Sequence, residues 1–243
     1  MVIAQETAGW QELLSEQLKL VGESLPTLLS GTAITVELTI CLLLLGFTLA
    51  VPVALGQIYG PAPLRWLMGA YERFFRAIPI LVLLVFFVFG LKVNLPAFLS
   101  AALVFGVHSS AYQSQIFRGA IQSISLGQIS AARAIGLTRL QAIRYIVLPQ
   151  AFRLAIPAWS NEYSSVLKDT SFAFTVGLVE LNQRAVQIAN YPTHHDKVFA
   201  LFFTVAIIYL ILTTLGTRLL EMIERRFRIP GLTVHTGAAH SHG

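Results

Sequence analysis

Long apolar segments dominate this sequence and limit what it can fold into. The first runs from about residue 32 to 58 and contains one charged residue, Glu37. A helix that spans a bilayer needs about 20 apolar residues, so this segment is long enough. In the whole chain 55% of residues are hydrophobic and 12% are charged, against about 25% charged in an ordinary soluble domain. The sequence therefore predicts an integral membrane protein.

Four further apolar segments follow the first one. They run from about 78 to 91 (beginning near Tyr71), 96 to 121, 151 to 181 and 198 to 220. In hydrocarbon a helix satisfies all of its own backbone hydrogen bonds. We therefore expect an all-α fold with five transmembrane helices, within a membrane domain of residues 31–228.

The basic residues indicate the orientation. With the N-terminus outside, 12 of the 17 lysines and arginines fall at the inner ends of the apolar segments, as the positive-inside rule requires. They are Arg65, Arg73, Arg76, Arg118, Arg133, Arg139, Arg144, Arg153, Arg218, Arg225, Arg226 and Arg228. Since they form no single patch with interleaved aromatic residues, the net charge of +5 does not indicate nucleic-acid binding. We expect a multi-pass protein of the cell inner membrane with a cytoplasmic C-terminus.

The two ends of the chain differ in charge and composition. Residues 1–30 are acidic and carry apolar residues at helical spacing, which predicts an amphipathic extracytoplasmic segment in contact with membrane lipid. Residues 229–243 follow the last apolar segment and predict a flexible cytoplasmic tail.

A polar segment with helix-breaking residues separates the third and fourth apolar segments. Ser125 and Gln128 have the spacing of a reciprocal helix cap, and so do Thr138 and Gln141. Gly136 suits the left-handed position that ends a helix. A short helix, a glycine turn and a second helix are predicted. From spacing alone, a plain cytoplasmic connection and a docking surface for a partner both remain open.

Several motifs resemble those of the membrane subunits of ABC importers. Ser130-Ala131-Ala132, then Gly136, then Ile146-x-Leu148-Pro149 resemble that family's EAA–G–I-x-LP loop, with Ser130 in place of the acid. Phe75-Arg76-Ala77-Ile78-Pro79 resembles its FRGTP motif, Ala111-Tyr112-x-Ser114-Gln115 its AYxAE motif, and Leu167-Lys168-Asp169-Thr170-Ser171 matches LKDTS. Gly127-Gln128 and Gln150-Ala151 suit the polar-amino-acid (histidine/glutamine-type) branch.

The resemblance implies a type I importer permease fold and a set of partners. These are a second permease subunit (identical or paralogous), two cytoplasmic ATPase subunits that bind ATP and magnesium, and an extracytoplasmic amino-acid-binding protein. The loop at about residues 123–149 would couple to the ATPase through Ser130, Ala131, Ala132, Ala134, Gly136 and Leu137.

No enzyme motif stands out in the sequence. It contains no GxxxxGK[ST] phosphate loop, no HExxH and no GxSxG, so ATP hydrolysis is expected from a partner chain. We expect no cofactor and no metal site in this chain, although His194-His195-Asp196 supplies three metal-binding side chains in an outer loop. A stand-alone secondary amino-acid transporter remains the alternative, against which the sequence shows no internal repeat.

Polar residues inside the apolar segments are candidates for the substrate path. They are Asn161, Glu162, Ser165, Lys168 and Asp169 in the fourth segment and His108 and Gln115 in the third. Ionisable groups in hydrocarbon cost about 2.5 to 3.5 kcal/mol each on insertion scales, so they face a bundle interior, a partner or water. A polar network that fixes helix packing and a substrate path are both open. For a path, Glu162 would suit a cationic amino acid, whereas Lys168 and Asp169 suit helix packing or an outer gate.

Overall fold

A computed structural model describes residues 2–192 and 198–227 of the chain. Within these ranges the fold is entirely helical, which confirms the predicted all-α class. The α-helices are α1 (Val2–Tyr59), α2 (Ala62–Ala77), α3 (Ile80–Val85), α4 (Ala97–Gln122), α5 (Leu126–Ala134), α6 (Arg139–Ala142), α7 (Leu148–Asp169), α8 (Leu181–Ala189) and α9 (Val198–Phe227). Phe86–Gly90 and Ile143–Val147 are π-helical, and Thr170–Val176 is a 3-10 helix.

Two of the described helices are long and apolar enough to cross a membrane. They are Ser15–Tyr59 within α1 and Val198–Arg226 within α9. The pair Ala62–Ala77 and Ile80–Gly90 would be a third span, although its two parts are bent by 101°. The polar residues of α4 and α7 reduce the apolar character of those helices, so the predicted count of five spans stays a prediction.

The bend between α2 and α3 follows from Pro79. Ile78 is extended, with φ −97° and ψ 129°, because a residue that precedes proline is disfavoured in the helical region. The predicted second span is therefore broken at Pro79 into two helices, α2 and α3.

The predicted N-terminal segment and the first apolar segment share one helix. The backbone of α1 is continuous through residue 30, where the sequence suggests a boundary. The side chains of residues 2–14 lie outside the described part of the structure, and so do His194-His195-Asp196 and the predicted tail at 229–243.

In the described part of the chain the core consists of three apolar clusters. Between the first two lies a polar layer, formed by Ser109, Gln113, Trp159 and Glu162. Helices α1 and α4 pack against each other along most of α4. One cluster contains Leu38, Leu42, Leu84, Phe105 and Val166, and a second contains Ala50, Ala54, Phe117, Ile121, Val147, Ala151 and Ala155. A third joins α1 to α8 and α9 through Leu28, Leu181 and Leu201.

Candidate functional site

A chain of hydrogen bonds crosses the polar layer between α4 and α7. The indole Nε1 of Trp159 donates to Oε1 of Gln113 at 2.7 Å. Gln113 Nε2 donates to Ser109 Oγ at 3.1 Å and to the carbonyl oxygen of Leu43 at 3.4 Å. Ser109 Oγ then donates to Oε1 of Glu162 at 2.6 Å. The side chains of Trp159, Gln113 and Ser109 therefore hold the Glu162 carboxyl in a defined position in the membrane domain.

Glycines allow α1 and α4 to approach closely at this layer. A Cβ at Gly46 would collide with Nε2 of Gln113. About two turns of α4 before Gln113, a Cβ at Gly106 would lie 2.6 Å from Cδ2 of Leu45. Because a side chain at Gly46 would displace Gln113, the glycine is required for the hydrogen bonds that lead to Glu162.

A cavity of about 260 Å³ lies beside this layer. It is lined by Leu42, Ile80, Phe105, His108, Ser109, Tyr112, Glu162, Ser165, Val166 and Asp169. Two carboxyl groups are in the lining, and no lysine or arginine is among these residues. The cavity can therefore supply acceptors for an ammonium or guanidinium group.

The structure brings together four of the seven residues predicted for the substrate path. His108, Glu162, Ser165 and Asp169 all line the cavity. The third and fourth predicted segments, as α4 and α7, therefore lie side by side at the cavity, which a shared path requires.

The other three predicted residues lie elsewhere. Gln115, Asn161 and Lys168 are exposed on this chain and are absent from the cavity lining. Asn161, Ser165 and Lys168 follow one exposed face of α7, which agrees with their helical spacing. This polar face is unlike a surface that meets lipid.

Sequence reasoning missed three residues of the site, namely Ser109, Tyr112 and Gln113. Ser109 and Gln113 are four residues apart and therefore share a face of α4. That spacing is visible in the sequence, but the phase of the helix relative to α7 is not. The exposed Gln115 lies on a different face.

A charged cluster lies next to the cavity, at the C-terminal end of α2. The Glu72 side chain is only 6% exposed, and its Oε2 accepts from Gln57 Nε2 at 2.7 Å. Its Oε1 accepts from Arg76 Nη1 at 3.2 Å and from Arg118 Nη2 at 3.3 Å. The guanidinium carbon of Arg76 lies 5.1 Å from the centre of the Tyr112 ring. The cluster thus joins α1, α2 and α4 and reaches a residue of the cavity wall.

The helix–turn–helix predicted between the third and fourth segments is present as α5 and α6. Gly136 has φ +91°, and the amide of Leu137 donates to the carbonyl of Ala132 at 3.1 Å. Thr138 and Gln141 form the predicted capping box. The turn geometry confirms the conformations predicted for Gly136 and for the second cap.

The reciprocal cap predicted at Ser125 and Gln128 was wrong. Ser125 Oγ accepts from the amide of Gly127 at 3.3 Å. Gln128 instead accepts, through Oε1, a hydrogen bond of 2.6 Å from Nε2 of Gln150. A partner 22 residues away in the sequence therefore outcompetes the local cap.

The α5–α6 segment presents a mixed surface. Of the predicted coupling residues, Ser130, Ala131, Ala134 and Gly136 are exposed, Leu137 is half-buried and Ala132 is buried. Ile135 is 79% exposed and Leu140 is 74% exposed. Exposed apolar side chains next to small residues are typical of a surface that docks a partner.

Comparison with known proteins gives consistent matches. Residues 43–229 match the family model described as binding-protein-dependent transport system inner membrane component. The chain is 36% identical over 204 residues to an L-cystine transport system permease protein of Bacillus subtilis (strain 168), covering 83% of this chain and 86% of the relative. It is 32% identical over 214 residues to a glutamate/aspartate import permease protein of Escherichia coli O157:H7, covering 84% of this chain and 94% of the relative.

A solved structure agrees in fold. The crystal structure of an amino acid ABC transporter with histidines contains a chain that superposes with a TM-score of 0.76 at 30% identity. The match covers 86% of this chain and 97% of the other.

Proposed function

This chain belongs to the family of binding-protein-dependent transport system inner membrane components, and from that premise we propose that it carries polar, basic amino acids across the cell membrane. It is the permease subunit of an amino-acid ABC importer. It is a transport subunit rather than an enzyme, since ATP hydrolysis belongs to a separate subunit. The alternative of a stand-alone secondary transporter is set aside, because the relatives are permease proteins of multi-subunit systems.

The cavity beside Glu162 supports the choice of a basic substrate. Glu162 and Asp169 both line it, and Ser109 holds Glu162 through a hydrogen bond of 2.6 Å. A carboxylate in a partly dehydrated site binds a guanidinium or ammonium group through charge-assisted hydrogen bonds. Glu162 is therefore the group that selects a cationic side chain in this proposal, with Ser165 and His108 as polar neighbours.

The α5–α6 segment is the proposed docking surface for the ATPase. Gly136 is left-handed at its turn, and Ile135 and Leu140 expose apolar side chains near that turn. ATP-driven movement of the ATPase subunits would shift the α5–α6 segment and tilt the helices that follow it. In this proposal Ala132 packs inward and supports the segment, whereas the exposed Ser130, Ala131 and Ala134 contact the ATPase.

The remaining assignments belong to the same proposal. The chain has five spans across residues 31–228, with the acidic segment 1–30 outside and the tail 229–243 in the cytoplasm. Its partners are a second permease subunit, two ATPase subunits that bind ATP and magnesium, and an extracytoplasmic amino-acid-binding protein. The chain itself requires no cofactor.

A charge-neutral substitution tests the role of Glu162. The complex of this chain with its copurifying ATPase and binding protein is placed in liposomes, and uptake of radiolabelled L-arginine is measured. Glu162→Gln keeps the size of the side chain but removes its charge, so we expect uptake to fall about tenfold or more. Glu221→Gln is the matched control, because Glu221 is 49% exposed on α9. Equal uptake by the wild type and the Glu162→Gln variant would contradict the proposed selectivity.

A further inference from the structure

The cluster around Glu72 carries an unbalanced positive charge. Two guanidinium groups, from Arg76 and Arg118, share one carboxylate. Each arginine side chain is about one-third exposed, at 34% and 36%, whereas that of Glu72 is 6% exposed. Both arginines share Oε1 of the buried carboxylate, and Oε2 accepts from Gln57. The arginines therefore retain donors for another anion.

Arg76 occupies the position closest to the cavity. Its guanidinium faces the ring of Tyr112, which lines the cavity. The His108 ring, also in the lining, lies 5.1 Å from the Tyr112 ring, centre to centre. Nε of Arg76 is buried and has no hydrogen-bond partner among the described residues. An unsatisfied buried donor is costly, and a ligand that accepts a hydrogen bond would relieve that cost.

The backbone fixes Arg76 in this place. Glu72 and Arg76 are four residues apart on α2, so their side chains lie on one face of the helix. Two residues after Arg76 the chain leaves the helix at Ile78. Earlier on α2, the Tyr71 hydroxyl donates to the carbonyl oxygen of Val107 on α4 at 3.3 Å. Ile80, after the bend, returns to the cavity wall. The end of α2 is therefore held against α4 beside the cavity.

We propose that Arg76 binds the carboxylate of the transported amino acid, with Glu72 as its positioning residue and Tyr112 as a movable ring between them and the cavity. The inference rests on the proposed function, because it concerns the other end of the same substrate. Glu162 and Asp169 supply acceptors for the cationic groups, but the cavity lining supplies no arginine or lysine for the carboxylate. Arg76 contacts the lining through the Tyr112 ring.

The chemistry of arginine suits this role. A guanidinium presents parallel N–H donors that match both oxygens of a carboxylate. A cation–π contact at a partly exposed site is weaker than a charge-assisted hydrogen bond. The substrate carboxylate therefore replaces the Tyr112 ring as the partner of the Arg76 guanidinium, and the ring turns away. The bound amino acid then has its carboxylate toward Arg76 and its cationic groups toward Glu162 and Asp169.

Pairs of ligands with and without a carboxylate test the inference. Equilibrium binding to the purified permease–ATPase complex is measured for L-arginine and agmatine, and for L-lysine and cadaverine. Each amine keeps the cationic groups of its amino acid but lacks the carboxylate. We expect the wild type to prefer each amino acid by about tenfold to hundredfold. Arg76→Gln should abolish that preference by weakening the amino acid alone, and Glu72→Gln should reduce it.

Control variants separate binding from folding. Arg73→Gln removes an exposed charge from the same helix and should leave the preference unchanged. Arg76→Lys keeps the charge without the planar fork, so an intermediate preference is expected. Assembly of each variant complex is judged by size-exclusion elution and by retention of the ATPase. If the Arg76→Gln complex does not assemble, the preference measured for Arg76→Lys tests the role of Arg76 instead.

Two results would overturn the inference. One is an Arg76 variant that keeps the wild-type preference, and the other is a variant that weakens amino acid and amine equally, which a structural role would produce. Failure of the proposed function is distinguished from failure of this inference by the binding measured for the wild-type complex. Absence of binding of both amino acids to the wild-type complex would refute the basic substrate and this inference together.

Discussion

Replacement of Gly136 isolates the effect of backbone conformation on the coupling segment. The residue has φ +91°, and a Cβ built there meets nothing within 4 Å. A side chain at this position therefore causes no collision, and its effect comes from the backbone alone. Left-handed conformations cost non-glycine residues about 1 to 2 kcal/mol, with asparagine the best tolerated. A change of that size shifts the population of the native turn by about 5- to 30-fold.

The expected order of effect is Gly136→Asn, then Gly136→Ala, then Gly136→Val. Valine is last because its branched Cβ is the least compatible with positive φ. The assay is ATPase activity of the reconstituted complex with and without amino acid, together with hydrogen exchange of the amides at 135–139. We expect exchange to quicken and amino-acid stimulation to fall in that order, while membrane insertion is unchanged.

Gly119 is the matched control for this series. A Cβ at Gly119 also meets nothing within 4 Å, but the residue lies in α4 with helical backbone. Gly119→Ala should be neutral or stabilise the helix by up to about 1 kcal/mol. Normal ATPase stimulation in Gly136→Val, or equal losses in the Gly136→Ala and Gly119→Ala variants, would refute the reasoning.

Three further substitutions test packing and capping. Gly216→Ala places a Cβ against the Tyr163 ring. The overpacking should cost about 1 to 3 kcal/mol and lower the thermal unfolding midpoint. Adding Tyr163→Ala to the Gly216→Ala chain should restore part of the lost midpoint temperature. Gln113→Leu removes the acceptor of the Trp159 indole, so we expect a loss of about 1 to 3 kcal/mol, and an unchanged midpoint would contradict the hydrogen-bonded layer. Thr138→Ala removes the cap of α6, which should cost about 1 kcal/mol and quicken amide exchange in α6 while exchange in α7 stays the same.

Local signals in the sequence predicted the helical class and the turn at Gly136. The apolar segments predict where helices lie, and Gly136 and Thr138 predict the turn because their preferences depend on the residues beside them. The break at Pro79 was not predicted, although proline disfavours a helical conformation in the residue before it. The size of the bend, 101°, depends on how the residues around it pack against α4, and no local pattern contains that information.

Residues whose role depends on distant partners were harder to predict. Glu72 lies among arginines in a segment predicted to be an inner connection, yet it is buried because Gln57 and Arg118 reach it from other helices. Gln113 and Gln115 look equivalent in the sequence, and only the packing of α4 on α1 and α7 distinguishes them. Gln128 prefers Gln150 to its local cap for the same reason.

Copurification tests the role of this chain as an importer subunit most directly. The chain is solubilised in detergent and purified by affinity, the subunits that accompany it are identified, and ATPase activity is measured with each amino acid in turn. We predict an accompanying ATPase and binding protein, with activity stimulated by a basic amino acid. A chain that purifies alone and still transports amino acids in ATP-free vesicles would contradict this role.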